Sequence, residues 1–338
     1  MKMYLDNGYI NMREILENDY TFVFVVGGRG TGKTYGGLLS ILRIQEEGEM
    51  KRFLYLRRTQ TECDAVSTEE TQPFKKINDD TGSNIGIKSI RKSLYGFKLD
   101  DDLIGYAAAL STFENLRGID FSDVDMIFYD EFIPKKTSYP IRDEYETLLN
   151  LYETVNRNRE LEGKSPCKMV CCSNSNFLAN KIFLGLNIIP QLEKILLQGG
   201  GTYYDKDASL QVIILKDSPI SALKAKTALY RLTKGSSFAS MSLMNDFRDN
   251  DQDLIRPSDL KQYTLLTTLT GIAIYKHKSK NEYYCCGYTK TPVYSSSERD
   301  LEKYRMKYWY LSNRYIDGEL FFENLLTKYT FFAYNKIR

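Results

Sequence analysis

At 338 residues, with 42% hydrophobic and 27% charged content, the chain can bury one large core or two modest ones, so intrinsic disorder is not expected. Its 46 basic and 44 acidic residues leave a formal charge of only +2, so the whole protein is not a polyanion binder and any such site is local.

Residues 22–26, Phe-Val-Phe-Val-Val, form an apolar run that reads as a strand entering a glycine cluster, and Thr34 to Gln45 reads as a helix. Between them, Gly27-Gly28-Arg29-Gly30-Thr31-Gly32-Lys33-Thr34 satisfies G-x-x-x-x-G-K-S/T in the strand, loop, helix setting that a phosphate-binding P-loop requires. The glycines let successive N–H groups curl toward phosphate oxygens, and the helix offers its positive end to the same anion. Lys33 is placed to reach the β- and γ-phosphates, and the Thr34 hydroxyl to ligate Mg²⁺.

Further apolar runs at Phe53–Leu56, Met126–Tyr129 and Met169–Cys172 are spaced widely enough for helical crossovers. An α/β fold is expected, with a parallel central sheet covered on both faces. The Met126–Tyr129 strand ends in Asp130-Glu131 and delivers two acids to the P-loop, Asp130 to hold Mg²⁺ and Glu131 to polarise an attacking water. A neighbouring strand would end at Cys172-Ser173-Asn174. Ser173 and Asn174 there suit sensing of a γ-phosphate or its water, although such residues also simply start loops.

Asp143 to Glu160 carries Tyr145, Leu148, Leu149, Tyr152 and Val155 at helical spacing. Arg157, in the Asn156-Arg157-Asn158-Arg159 that follows, is either an arginine projected into a neighbouring subunit's site or a surface salt bridge. Beyond Pro190 the pattern loosens through Gly199-Gly200-Gly201 to Pro257, which reads as a connecting region. From Leu265 strand chemistry returns: Leu265–Ile274, a polar turn at 278–281 and Tyr283–Tyr288 predict a hairpin, followed by helices over Ser296–Arg314 and Asp317–Leu326. The segment from Ser258 onward holds 13 basic and 8 acidic residues, and Tyr304, Tyr308, Trp309, Tyr310 and Tyr315 lie among its cations. That mixture suits strand contact, but an amphipathic helix with core aromatics is the favoured reading.

The six cysteines have no C-x-x-C spacing, so buried reduced thiols are expected rather than a zinc site or disulfide framework. No apolar run approaches membrane-spanning length, and an intracellular protein without membrane contact is expected. One histidine, His277, leaves little room for histidine-based catalysis. The nearest approach to a guanine-reading Asn-Lys-x-Asp, Asn180-Lys181-Ile182-Phe183, lacks the acid, which favours ATP.

Phe22–Tyr35, then Leu54-Tyr55-Leu56-Arg57-Arg58, then Phe128–Phe132 occur in an order that resembles the DNA-packaging (encapsidation) ATPases of small protein-primed podophages. The similarity continues through Leu148–Glu160, Ser173-Asn174 and Met241-Ser242-Leu243. The resemblance implies an ASCE-type P-loop ATPase domain related to FtsK/HerA translocases (1–195), a linker (196–257) and a smaller α+β RNase H-like C-terminal domain (258–338). It also implies a homo-oligomeric ring, pentameric in that family, which works from the host cytoplasm at the portal, or connector, of a preformed capsid. By the same resemblance Lys33, Thr34, Asp130 and Glu131 form the ATP site, Arg157 is the arginine finger, and Arg117 acts across the subunit interface.

Two departures stand out. Thr59 and Gln60 follow Arg58 where relatives carry a lysine, and Gly271–His277 lacks the acid that a two-metal nuclease needs on an early strand. No nuclease activity is therefore expected. Lys276, Lys278, Lys280 and Lys290 would instead suit phosphates of double-stranded DNA or a structural RNA. The alternatives are a terminase large subunit with an active nuclease and an adaptor whose P-loop binds nucleotide without turnover.

Overall fold

Buried β-branched and aromatic runs become strands because both faces of a helix-covered sheet accept such side chains. In this computed structural model, residues 2–134, 141, 143–174, 178, 180–215, 218–236 and 254–337 are described. Met241-Ser242-Leu243 lies outside them. The chain divides into two compact units, Met1–Ile182 with Lys194–Arg248 and Phe183–Glu193 with Asp249–Arg338.

The order begins α1 (Met12–Leu16), β1 (Phe22–Gly27), α2 (Lys33–Glu46), β2 (Arg52–Arg57), α3 (Gln60–Asp64), α4 (Lys75–Thr81), β3 (Ile85–Arg91), β4 (Leu94–Leu99) and β5 (Asp102–Ala109). It continues with β6 (Val124–Asp130), α5 (Glu144–Asn156), β7 (Lys168–Asn174), α6 (Lys181–Gly185), α7 (Ile189–Leu197), β8 (Gly201–Asp205), β9 (Leu210–Ile214), α8 (Pro219–Lys224) and α9 (Ala228–Leu232). The strands form one sheet in the order β3-β4-β5-β2-β6-β7-β1-β9-β8. From β5 to β9 every neighbouring pair is parallel, and the edges are antiparallel.

Two expectations change. The interval between β2 and β6 holds two short helices and the β3–β4 hairpin rather than a plain helical crossover. The region read as connecting from residue 196 opens with two strands of the large sheet, so the sheet extends past the expected boundary at 195. Leu-Gln-Val-Ile-Ile of β9 is buried throughout and pairs with β1. Its polar surroundings disguised it, because its pairing partner lies far upstream.

Helix α2 turns Leu38, Ile41 and Leu42 inward, and Gly37 lets it lie close on β6: a Cβ there would sit 2.5 Å from the Phe128 ring. Arg58 and Glu144, each 2% exposed, are joined by Nε···Oε1 and Nη2···Oε2 hydrogen bonds of 2.6 and 3.1 Å. Removing one partner strands a buried charge, so Glu144→Ala is expected to cost about 3–5 kcal/mol in urea unfolding. A loss below about 1 kcal/mol would show that the pair does not hold α5 to the sheet.

In the second unit the expected hairpin is a three-stranded meander, β10 (Tyr263–Leu269), β11 (Gly271–His277) and β12 (Tyr283–Tyr288), with β13 (Leu320–Phe322) parallel to β12. Leu265–Ile274 is not one strand, because the chain reverses at Gly271, whose φ of +85° suits a tight turn. Helices cover Glu298–Lys307, Tyr310–Ile316 and Leu325–Asn335, so Asp317–Leu326 holds β13 rather than a helix. Tyr304 and Tyr308 are core, with Tyr310 and Tyr315 packed against it, while Trp309 is exposed. All six cysteines are buried free thiols. Among the described residues no helix is long and apolar enough to cross a membrane.

Candidate functional site

β1 ends at Gly27, and the loop to α2 closes at Gly32, the helix N-cap, with φ +91°. Only glycine takes that left-handed turn without strain. Lys33 is buried, and its Nζ donates to the Gly27 and Gly28 carbonyls at 3.0 and 2.8 Å and to Thr31 Oγ1 at 3.2 Å. Burial pushes its pKa down to about 8, opposed by Cys172 and Asp130 nearby.

The register of the parallel strands brings the acids here. Asp130 of β6 lies opposite Cys172 of β7, and Asn174 of β7 lies opposite Gly27 of β1, so β7 stands between the P-loop strand and the acidic one. Thr34 Oγ1 donates to Asp130 Oδ1 at 3.0 Å, and Tyr55 Oη donates to Asp130 Oδ2 at 3.0 Å. Burial pushes the Asp130 carboxyl up, while the Arg57 guanidinium and these two hydroxyls pull it back. Glu131 has φ +57°, a conformation that a non-glycine residue holds only where its surroundings enforce it.

One cavity of about 510 Å³ is lined by Arg29, Gly30, Thr31, Gly32, Lys33, Thr34, Tyr35, Asp130, Glu131, Ser173 and Asn174. Its volume lies within the range of cofactor pockets. A divalent cation fits the donor set, because Thr34 Oγ1 and Asp130 Oδ1 already converge and both are hard oxygen ligands.

The profile of the podovirus DNA encapsidation protein (Gp16) family matches residues 5–269, most of the chain. The chain belongs to that family. The DNA packaging protein of Bacillus phage phi29 is 32% identical over 249 residues, covering 73% of this chain and 68% of that protein. A chain of the bacteriophage Phi-29 viral genome packaging motor assembly superposes with a TM-score of 0.67 at 24% identity, covering 97% of this chain and 99% of its own, a likeness of fold. The crystal structure of the N-terminal domain of the phi29 DNA packaging ATPase gives a TM-score of 0.50 at 27% identity, covering 61% of this chain and 96% of that one.

Several expected residues lie elsewhere than the cavity lining. Gly27 and Gly28 face Lys33 with their carbonyls. Arg157, at φ +46°, donates to the Ile119 carbonyl at 2.9 Å and lies 3.4 Å from Asp120, just before β6 begins. Asp130 and Glu131 close the other end of that strand, roughly 20 Å away at about 3.3 Å per residue. Arg117 is exposed and pairs with Glu114 at 3.1 Å. Neither arginine reaches the cavity of its own chain.

The sequence reading missed Arg57. Its Nη1 donates to Asp130 Oδ2 at 3.2 Å and its Nη2 to Glu131 Oε2 at 3.0 Å, so one guanidinium clasps both acids. Burial works against its charge, but Tyr55, Asp130 and Glu131 keep it protonated. The available signal was a cation closing an apolar strand, since Tyr55 and Arg57 share one face of β2 by alternation.

Proposed function

We propose that this chain hydrolyses Mg²⁺-ATP and uses it to drive double-stranded DNA into a preformed capsid, as one subunit of a ring at the portal vertex in the host cytoplasm. The observation that carries this reading is the convergence of Lys33, Thr34, Asp130 and Glu131 on one cavity in a member of the encapsidation family. Five subunits follow the family resemblance, and a structural RNA partner rests on the cations Lys276, Lys278, Lys280 and Lys290, which suit its phosphates. The family assignment also favours a packaging motor over a nuclease-bearing terminase or a non-hydrolysing adaptor.

Each residue has a distinct task. The Lys33 ammonium exchanges the Gly27 and Gly28 carbonyls for β- and γ-phosphate oxygens and meets the charge that gathers on the leaving oxygen. Arg29 and the loop backbone from Gly30 to Gly32 cradle the phosphates. Thr34 and Asp130 would hold Mg²⁺, which supplies charge neutralisation between the phosphates. Glu131 takes the proton of the attacking water, while Ser173 and Asn174 orient that water. Arg57 must loosen its hold on Glu131 for that transfer, so it sets when the base is free. Arg157 and Arg117 would serve the adjacent subunit, since their own cavity is out of reach.

ATP turnover by the full-length chain, measured with and without double-stranded DNA across a salt series, tests the reading. DNA is expected to accelerate turnover, and the effect should fade as salt rises. Turnover indifferent to DNA at every salt concentration would rule out a DNA motor. Plasmid incubated with the protein and Mn²⁺ is expected to stay intact, because β11 carries no acid; cleavage would restore the terminase reading.

A further inference from the structure

We propose that the tip of the β3–β4 hairpin, through Lys88, Arg91 and Lys92, grips the phosphate backbone of double-stranded DNA. The inference rests on the packaging reading above and names a surface that carries it out.

Residues 82–99 hold four cations, Lys88, Arg91, Lys92 and Lys98, and no carboxylate, in a chain whose charges otherwise nearly cancel. A merely solvating face mixes both signs, which this one does not. Lys88, Arg91 and Lys92 are all exposed, and no carboxylate among the described residues pairs with them. The turn is tight, with Ser93 at φ +66°, so Arg91 and Lys92 project from a paired ribbon rather than from a loose loop.

Register places this tip at the working edge of the sheet. Leu94 lies opposite Ala108, Ala109 opposite Arg57, and Leu56 opposite Tyr129. The hairpin turn therefore stands at the same strand ends as Arg57, Asp130 and Glu131, the edge where parallel sheets hold their ligands. Three strand spacings separate β4 from β6, roughly 14 Å. A hydrogen bond of 2.6 Å from Tyr95 Oη to Asp64 also ties β4 to α3, the helix that starts just after Arg57 and Arg58. A polyanion held at the tip is thus anchored to the segment that clasps the catalytic acids.

The test is the salt dependence of binding of a short labelled DNA duplex to the full-length protein. The triple variant Lys88→Gln, Arg91→Gln, Lys92→Gln should flatten the slope of log K against log salt by about 2.7, at roughly 0.9 per phosphate contact. ATP turnover without DNA should stay unchanged. The charge-keeping triple Lys88→Arg, Arg91→Lys, Lys92→Arg should retain the wild-type slope, which separates lost charge from a damaged hairpin. An unchanged slope in the glutamine variant overturns the proposal and leaves the packaging reading standing. A slope change seen only with duplex RNA overturns it as well, and a wild-type protein that binds no DNA duplex at any salt overturns both.

Discussion

Glu131→Gln is expected to keep nucleotide binding and lower ATP turnover by about 10²–10⁴-fold, the usual contribution of a positioned general base. The amide keeps the shape but cannot take the water's proton, and the neutral side chain also loosens its 3.0 Å contact with Arg57. Lys33→Ala should differ in kind, losing triphosphate affinity as well as turnover. The ammonium is the buried cation of the loop, and its present partners, the Gly27 and Gly28 carbonyls, cannot bind an anion in its place. A filter-binding assay with ATP beside a phosphate-release assay separates the two variants. Full turnover in either one would contradict the assignment of this cavity.

Arg157→Ala should be as damaging, because an arginine supplied to a phosphoryl-transfer site contributes about 10³–10⁵-fold in turnover. Unfolding would not account for such a loss. The Arg157 and Asp120 side chains are 47% and 71% exposed, and an ion pair so open to water adds little stability. The position at the far end of β6 from the acids leads to a sharper expectation in mixed rings. A subunit with Arg157→Ala but an intact cavity should regain turnover beside a Glu131→Gln subunit that supplies a working Arg157. Absence of recovery at every mixing ratio would count against a role across the interface.

Much of the candidate site was legible before folding. Gly27–Thr34 could be read because a P-loop is a local object: its strand, turn, lysine and helix start are contiguous, and the glycines are dictated by backbone geometry. Asp130 and Glu131 were legible as acids ending an apolar strand. Arg57 was not, although it stands beside Arg58 in the sequence. Strand alternation sends one guanidinium to the two acids and the other to Glu144 on the opposite side of β2. Residues 201–214 were misread because short strands in polar surroundings reveal themselves only through their neighbours, and β9 is paired with β1 on one side and β8 on the other.

Residue order alone determined which chemistry the proposed function draws on, since a phosphate loop and an acid-tipped buried strand are each written in consecutive residues. Only the tertiary structure decided how those pieces face one another. Parallel pairing at fixed register carries Asp130, Asn174 and Gly27 to one edge, brings Arg57 onto the acids and leaves Arg157 at the far end. The reason is that strand register and face are set by contacts between segments far apart in the chain, which no local pattern encodes.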